Sequence, residues 1–329
     1  MGSYILRRLM IFVPMLFAVS LVSFVIIQLP PGSYLDQKIV ELQAQGGDAS
    51  SLGQIEALKR RYGLDAPIWK QYLMWIGGIL TEGDFGESFA YDKPVNQLVW
   101  SFLGFTLLVS GTSFVLVYLL AIPLGCIAAV KKGKPTDHVI SGVSFIGMSV
   151  PEFMLALLLL VLGLFALDYL FVGLFSPEFY FQPWSWAKVV DLLKHLPVPA
   201  AVVAVNGTAG LMRIMRGSML DVLAEPYILT ARAKGLSRRQ VFGKHALRMA
   251  INPIISIMGM SLPGLLSGSA IIAIVLNLPT AGYLLFESLK TQDMYLAGTL
   301  MLMLAALLLV GNLISDIALA IVDPRIRYD

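Results

Sequence analysis

The stretch Tyr227-Ile-Leu-Thr-Ala-Arg-Ala-Lys-Gly-Leu236 decides how the rest of this 329-residue chain is interpreted. It has the composition of a short helix that ends at a glycine. Further basic and histidine side chains follow it, at Arg238, Arg239, Lys244, His245 and Arg248, and long apolar runs flank the whole loop. A basic, helix-forming loop between apolar runs indicates a surface at the cytoplasmic face of a membrane, where it is open to a partner.

Composition places the chain among proteins that cross a membrane several times. Hydrophobic residues make up 57% of it, charged residues 14%, and the mean hydropathy is +0.77, whereas a soluble domain carries about 25% charged residues. Six apolar runs are each long enough to cross roughly 30 Å of hydrocarbon as a helix. They lie near Leu9–Leu29, Phe102–Ala129, Val139–Leu167, Leu196–Met215, Ile254–Leu278 and Leu296–Val322. The predicted fold is therefore an all-α polytopic membrane protein with six transmembrane helices and both termini on one side.

The distribution of basic residues predicts the orientation. With the amino terminus inside, the cytoplasmic segments hold 15 of the 24 Lys and Arg residues: two before the first run, three after the second, eight from Arg213 to Arg248 and two near the carboxyl end. The same segments hold five acidic residues. Cytoplasmic loops of membrane proteins carry an excess of Lys and Arg, so both termini are predicted to be cytoplasmic.

The segment between the first two runs is the predicted external region. Ile55, Leu58 and Tyr62 have helical spacing, and Gly63 follows where a helix would end. A second apolar and aromatic segment runs from Trp69 to Ile79 before Gly83-Asp-Phe-Gly86 breaks it. These helices either cap the bundle or contact a delivery protein or substrate, and the sequence leaves both open.

Familiar catalytic and nucleotide-binding patterns are missing from the sequence. It has no glycine-rich phosphate loop of the G-x-x-x-x-G-K-[ST] type, so ATP binding in that mode is not expected. It also lacks the H-E-x-x-H and G-x-S-x-G patterns and any Cys/His metal spacing. The single cysteine, Cys126, is interpreted as a small apolar side chain. No metal site, no enzyme activity and no nucleic-acid partner are therefore predicted, and energy for any work must come from another chain.

Short motifs occur in a fixed order along the chain. The first part holds Tyr4-Ile-Leu-Arg-Arg8, Pro31-Gly32, Tyr62-Gly-Leu-Asp-Ala-Pro67, Gln71-Tyr72 and Gly83-Asp-Phe-Gly-Glu-Ser-Phe89. The second part holds Ser149-Val-Pro-Glu-Phe153, Arg213 with Arg216, Thr230-Ala-Arg-Ala-Lys-Gly235, His245-Ala-Leu-Arg248 and Asp323-Pro-Arg-Ile-Arg-Tyr328. In this order the chain resembles a permease subunit of the oligopeptide and dipeptide importers of the ATP-binding cassette (ABC) class.

That resemblance implies a fold, a set of partners and domain limits. The implied fold is the type I ABC importer permease, in the bacterial or archaeal cytoplasmic membrane. The implied partners are a second permease subunit, two ATP-binding subunits that hold ATP and magnesium, an extracytoplasmic solute-binding protein and membrane lipid. The corresponding limits are residues 1–30 for the cytoplasmic start and first helix, 31–99 for the external region, 100–322 for the transmembrane domain with its cytoplasmic loop 216–250, and 323–329 for the tail.

The resemblance also assigns a role to the basic loop. The segment formed by Thr230, Ala231, Arg232, Ala233, Lys234 and Gly235 is expected to form a coupling helix that seats in a groove of an ATPase subunit. Small side chains such as Ala231 allow close approach, Gly235 permits a turn, and the cations suit acidic groups or lipid phosphates. Binding of the loop to anionic lipid alone is the alternative.

The sequence does not decide the role of Glu152 or the identity of the substrate. Glu152 lies about 20 Å into the third run, near the membrane midplane, where an acid faces a water-filled cavity or a partner. It either lines the substrate path or forms a hydrogen bond between helices. Ala273 and Thr280 occupy positions where the peptide branch usually has an acid and a glycine, so peptides and oligosaccharides both remain candidate substrates. A secondary transporter that works without ATPases is the alternative from another class, although no internal repeat supports it.

Overall fold

The computed structural model of the chain describes residues 2–28, 53, 66–168, 170–258 and 270–322. Its elements are almost all helical. The helices are α1 Gly2–Gln28, α2 Ile68–Glu82, α3 Val95–Val130, α4 Pro135–Ser149, α5 Glu152–Leu167, α6 Trp186–His195, α7 Pro197–Ala224, α8 Pro226–Ala233, α9 238–250, α10 252–258, α11 Ala270–Val275, α12 Ala281–Lys290 and α13 Met294–Val322. A two-stranded antiparallel hairpin, β1 Glu87–Ser88 and β2 Lys93–Pro94, and a 3₁₀ turn at Pro177–Phe179 complete the described elements.

Four described segments are long and apolar enough to cross a membrane. They are Leu6–Ile26, Val95–Val130, Trp186–Ala224 and Met294–Ile317, and the bent pair α4 and α5 makes a fifth if it counts as one span. The apolar run predicted near Ile254–Leu278 includes residues 259–269, which lie outside the described ranges. The count of six crossings therefore stays a prediction, as does the helix predicted around Ile55, and the tail at 323–329 also lies outside the described ranges.

The third apolar run, predicted to cross the membrane over Val139–Leu167, is broken into two helices. Helix α4 ends at Ser149 and α5 begins at Glu152, with a bend of 102° between them. Pro151 has no N–H to donate into a helix, and its ring disfavours helical geometry at the residue before it. Val150 accordingly has φ −89° and ψ 122°, in the extended region. The break therefore follows from a single proline.

The chain divides into two compact units. Unit 1 comprises Met1–Thr106 and Pro279–Leu309, and unit 2 comprises Leu107–Leu278 and Val310–Asp329. In unit 1 aromatic side chains hold α2 against α1. Phe24 stacks on Trp75 at 5.8 Å between ring centroids, and the hydroxyl groups of Ser20 and Tyr72 lie 2.8 Å apart in a hydrogen bond. The predicted aromatic helix thus exists, and its inner face packs within the unit.

The hairpin between α2 and α3 is fastened by a buried carboxylate. Asp293, which is fully buried, accepts hydrogen bonds from Ser88 Oγ at 2.6 Å, from the backbone N–H of Ala90 at 3.1 Å and from that of Leu296 at 3.3 Å. Its carboxylate therefore caps the start of α13 and also holds the hairpin in place through hydrogen bonds. Burial raises the pKa of this carboxyl above its ordinary value, because these donors are neutral and only partly offset the loss of water.

Unit 2 is built around α7. Its side chains Met212, Met215 and Met219 are fully buried together with Ile228 and Ile254. Gly125 of α3 lies so close to α7 that a Cβ there would fall 2.6 Å from the Cβ of Met215 and 2.8 Å from the carbonyl oxygen of Met212. Flexible methionines fill this irregular core, and α7 thereby positions the basic loop that follows it.

Candidate functional site

The basic loop forms a compact helical corner. Glu225 is extended, and Pro226 then starts α8 at a position where a missing N–H costs nothing. At the other end Gly235 has φ +78°, and its N–H donates to the carbonyl of Arg232 at 3.0 Å. Glycine adopts this left-handed geometry without a steric cost. The chain then turns into α9, whose start is capped by Ser237 and Gln240 in reciprocal hydrogen bonds.

The two faces of α8 have different surroundings. Ile228 is fully buried and Ala231 is 6% exposed, and both pack into the core of unit 2. Of the predicted coupling residues, Thr230, Arg232, Ala233, Lys234 and Gly235 are exposed. Large apolar side chains join the exposed face, since Leu229 is 57% exposed. Positions three apart share a face of a helix, so Ile228 and Ala231 point inward together.

The structure gives a different reason for the small side chain of Ala231. From the sequence, Ala231 was expected to allow close approach of a partner, but its side chain lies against the protein's own core. Ala233 is the exposed small residue of the segment. Thr230, Arg232, Ala233 and Lys234 are thus exposed, whereas Ala231 packs α8 against the core of unit 2.

The loop is firmly joined to the membrane helices behind it. The Ser218 hydroxyl of α7 donates to the carbonyl of Ala250 in α9 at 2.8 Å. The middle of α9, Val241–Ala246, has π-helical hydrogen bonding, a wider winding that often accompanies functional sites. Buried Val241 and Ala246 pack in the same cluster as Ile228. A force on α8 would therefore reach α7 and α9 through close-packed side chains.

An ion pair between buried Asp137 and half-buried Arg216 ties α4 to α7. The guanidinium of Arg216 donates two hydrogen bonds to Asp137, at 2.7 Å and 2.9 Å. Asp137 is 2% exposed and also accepts from the backbone N–H of Gly133 at 3.0 Å. The paired geometry is the strong form of a charged hydrogen bond. The sequence marked Arg216 as part of a motif but missed Asp137, which lies 79 positions earlier in the chain.

A cavity of about 690 Å³ opens beside the loop. Apolar side chains from the end of α3 and from α9, including Ile127 and Phe242, line its walls. Lys131, Arg232 and Arg238 add three cations, and none of its described lining residues is acidic. The whole surface is suited to contact with acidic groups, whether these belong to a protein or to lipid phosphates.

Glu152 lies at the break of the third run. It is half-buried at the first position of α5 and makes a side-chain hydrogen bond with Asn206 of α7, which is itself exposed. Asn206 was not among the predicted site residues, although an amide within an apolar run was a visible signal. Ala273 is 3% exposed and belongs to the packed interior.

Within the described ranges no group of three or more His, Cys, Asp and Glu side chains could hold a metal ion.

Two family models match the chain: "Binding-protein-dependent transport system inner membrane component" over residues 121–328 and the N-terminal part of such membrane components over residues 1–110.

Curated relatives match it over its full length. The oligopeptide transport system permease protein AppB of Bacillus subtilis is 35% identical over 100% of both chains. OppB, the protein of the same description in Escherichia coli K12, is 33% identical over 100% of both, and OppB of Haemophilus influenzae is 32% identical over 100% of both. Among solved structures, an inward-facing form of the MetNI methionine ABC transporter aligns with a TM-score of 0.48 at 15% identity, over 68% of this chain and 96% of that one.

Proposed function

Because this chain belongs to the family of binding-protein-dependent transport system inner membrane components, we propose that it forms half of the path through which an ATP-driven importer carries peptides. Membership itself makes the chain a membrane-spanning permease subunit of an ABC importer rather than an enzyme, with ATP hydrolysis in separate subunits. The observation that carries the peptide proposal is full-length similarity to permeases named for oligopeptide transport.

The proposed assembly contains this chain, a second permease subunit, two ATP-binding subunits that hold ATP and magnesium, and an extracytoplasmic solute-binding protein. The exposed face of α8, with Thr230, Arg232, Ala233 and Lys234, contacts an ATP-binding subunit. Closure of the two ATP-binding subunits displaces α8. The displacement passes to α7 through buried Ile228 and Ala231, and rigid-body motion of the attached helices switches access from outside to inside.

The proposed orientation places both termini and the basic loop in the cytoplasm. Cysteine labelling in intact cells tests it, with Cys126 first replaced by Ser. A Ser50→Cys variant should react with a membrane-impermeant maleimide, and a Ser237→Cys variant should react only after the cells are opened. The reverse pattern would overturn this orientation.

Reconstitution of the complete importer in liposomes tests the function. Uptake of labelled trialanine should require the ATP-binding subunits, ATP and the solute-binding protein, and omission of any one should abolish it. Uptake of an oligosaccharide with no uptake of trialanine or longer peptides would replace the peptide proposal, consistent with Ala273 and Thr280 at positions where the peptide branch differs. Uptake without the ATP-binding subunits would indicate a secondary transporter instead.

A further inference from the structure

One face of α7 carries polar side chains along its apolar segment. Asn206 and Arg213 are both exposed on the segment Trp186–Ala224, and Arg213 is the first of the eight cations, from Arg213 to Arg248, that the sequence assigns to the cytoplasmic side. Seven residues separate them, which is close to two helical turns, so they share a face about 10 Å apart along the axis. The buried methionines Met212, Met215 and Met219 lie towards the opposite side of the helix.

The broken third run supplies the rest of this surface. Glu152, just after the break, forms its hydrogen bond with Asn206. Just before the break, Phe145 lies under the guanidinium of Arg213 at 4.9 Å from its ring centroid, and the sulfur of Met148 lies 3.7 Å from Arg213 Nη1. Phe145 is 53% exposed and Met148 is 40% exposed. We call these five side chains the polar strip.

The polar strip has an acid at one end and a base at the other, and neither end is neutralised within the described part of the chain. No described acidic side chain forms an ion pair with Arg213, and Glu152 has a neutral amide as its partner. Charged groups inside a membrane span do not face lipid, because the energetic cost is too high. We therefore expect the strip to face water, a ligand-bearing path or the second permease subunit of the proposed assembly.

We propose that the polar strip is a contact site for short zwitterionic peptides in transit, with the amino group at Glu152 and Asn206 and the carboxylate at Arg213. The proposal rests on the proposed function. An extended chain rises roughly 3.3–3.6 Å per residue, so about three residues span the 10 Å between the two ends. Phe145 and Met148 lie at the Arg213 end, and methionine suits surfaces that accept varied side chains.

The experiment compares three probes in liposomes that contain the complete importer. They are trialanine, N-acetyl-trialanine, which lacks the amino charge, and trialanine amide, which lacks the carboxylate. Each is supplied already bound to the solute-binding protein at saturating concentration, so that its affinity for that protein does not decide the result. Initial uptake rates are measured for wild type, Glu152→Gln and Arg213→Gln.

Loss of one charged hydrogen bond corresponds to about a tenfold change. Glu152→Gln should lower uptake of trialanine and trialanine amide about tenfold and leave N-acetyl-trialanine at its wild-type rate. Arg213→Gln should lower uptake of trialanine and N-acetyl-trialanine by a similar factor and spare trialanine amide. Arg213→Lys, which keeps the charge, should recover much of the lost uptake.

Matched controls remove the same charges from exposed positions away from the strip, with Glu178→Gln and Lys194→Gln expected to leave all three rates unchanged. Equal loss for every probe in either strip variant, or no loss for any probe, would overturn the site. In both cases wild-type uptake of trialanine would stand, so the proposed function would survive. Absence of ATP-dependent uptake by wild type would contradict the proposed function itself.

Discussion

The hairpin at residues 83–94 and the basic loop around α8 are both turns beside membrane helices, but they are held in different ways. The hairpin is fastened by hydrogen bonds to Asp293, a buried carboxylate with neutral partners. The loop is seated by the apolar side chains of Ile228 and Ala231, while its own cations remain exposed. Polar groups that are satisfied internally make a rigid cap, whereas cations left exposed remain available to a partner.

The loop side also contains a buried carboxylate, but it lies below the loop and is charge-paired. Asp137 binds the guanidinium of Arg216, so its charge is compensated in a way that the charge of Asp293 is not. Hydrogen bonds to a charged donor contribute more than hydrogen bonds to neutral donors, so losing the former costs more. The two carboxylates therefore provide a direct test of the comparison.

The largest effect is expected from Asp137→Ala. It removes the acceptor of both Arg216 hydrogen bonds and of the Gly133 N–H, and hydrogen bonds to charged groups contribute about 1.5–3 kcal/mol each, so the free energy of unfolding should fall by about 3–5 kcal/mol. Thermal unfolding of the detergent-purified chain measures the change, with Asp221→Ala on the exposed face of α7 as the control. A loss equal to that of the control would show that the pair contributes nothing to the junction of α4 and α7.

The next largest effect is expected from Asp293→Ala, which leaves the N–H groups of Ala90 and Leu296 without an acceptor. The free energy of local unfolding should fall by about 3 kcal/mol. Hydrogen exchange measured by mass spectrometry should rise across residues 83–94 and stay unchanged in α8. Glu82→Ala, at an exposed position close by, is the control. Faster exchange in α8, or none in the hairpin, would contradict the distinction between the two regions.

The pH dependence of the hairpin follows from the raised pKa of Asp293. An acid whose pKa is raised in the folded state binds protons more readily there than in the unfolded chain. The stability contributed by this site should therefore fall as pH rises from the ordinary aspartate pKa, about 4, through the raised value, and stay level above it. The difference in melting temperature between wild type and Asp293→Asn, followed from pH 4 to pH 8, measures this. The melting temperature of wild type should fall relative to that of Asp293→Asn as pH rises through this range. A rise of the wild-type melting temperature relative to that of the variant would contradict the prediction.

These buried carboxylates mark the limit of what could be predicted from the sequence. The basic loop and its helix were predictable because composition, glycine and flanking apolar runs are local signals. Pairing of Ser88 with Asp293 joins positions 205 apart, and pairing of Asp137 with Arg216 joins positions 79 apart. Such contacts depend on tertiary packing, which no local pattern encodes.

Two other features of the structure, the break in the third run and the inward orientation of Ala231, were partly visible in the sequence. Pro151 signalled a break in the third run, but the apolar residues on both sides favoured one helix. The helical spacing of Ile228 and Ala231 indicated a shared inner face, yet the small size of Ala231 suggested a contact with a partner. Local rules predicted α8 itself correctly, but its orientation depends on the packing of the core.

Ala231→Trp and Ala233→Trp test the buried inner face and the exposed outer face of α8 separately. Ala231→Trp overpacks the core and should lower the free energy of unfolding by about 1–3 kcal/mol. Ala233→Trp should leave stability within about 0.5 kcal/mol of wild type, as surface changes do, but should uncouple ATP hydrolysis from uptake in the assembled importer. Thermal unfolding and the ratio of ATP hydrolysed to peptide imported measure the two effects. Equal stability of the two variants would show that α8 has no inner face.

The smallest effect is expected at the turn that ends α8. Gly235→Ala places a Cβ in the left-handed region and should cost about 1 kcal/mol. Gly243→Ala, in the π-helical part of α9 where a Cβ meets no other atom within 4 Å, is the matched control and should not destabilise the chain. Thermal unfolding compares them. A neutral Gly235→Ala would mean that the turn does not fix the end of the helix.

Protection of α8 by the ATP-binding subunits tests the central claim most directly. In a background with Cys126 replaced by Ser, Ala233→Cys is labelled with a maleimide in the chain alone and in the complete importer, and Lys194→Cys serves as the exposed control. The coupling account predicts that assembly suppresses labelling of Ala233→Cys and leaves Lys194→Cys reactive. Equal labelling of Ala233→Cys in both states would contradict it, because the outer face of α8 would then be open in the working importer.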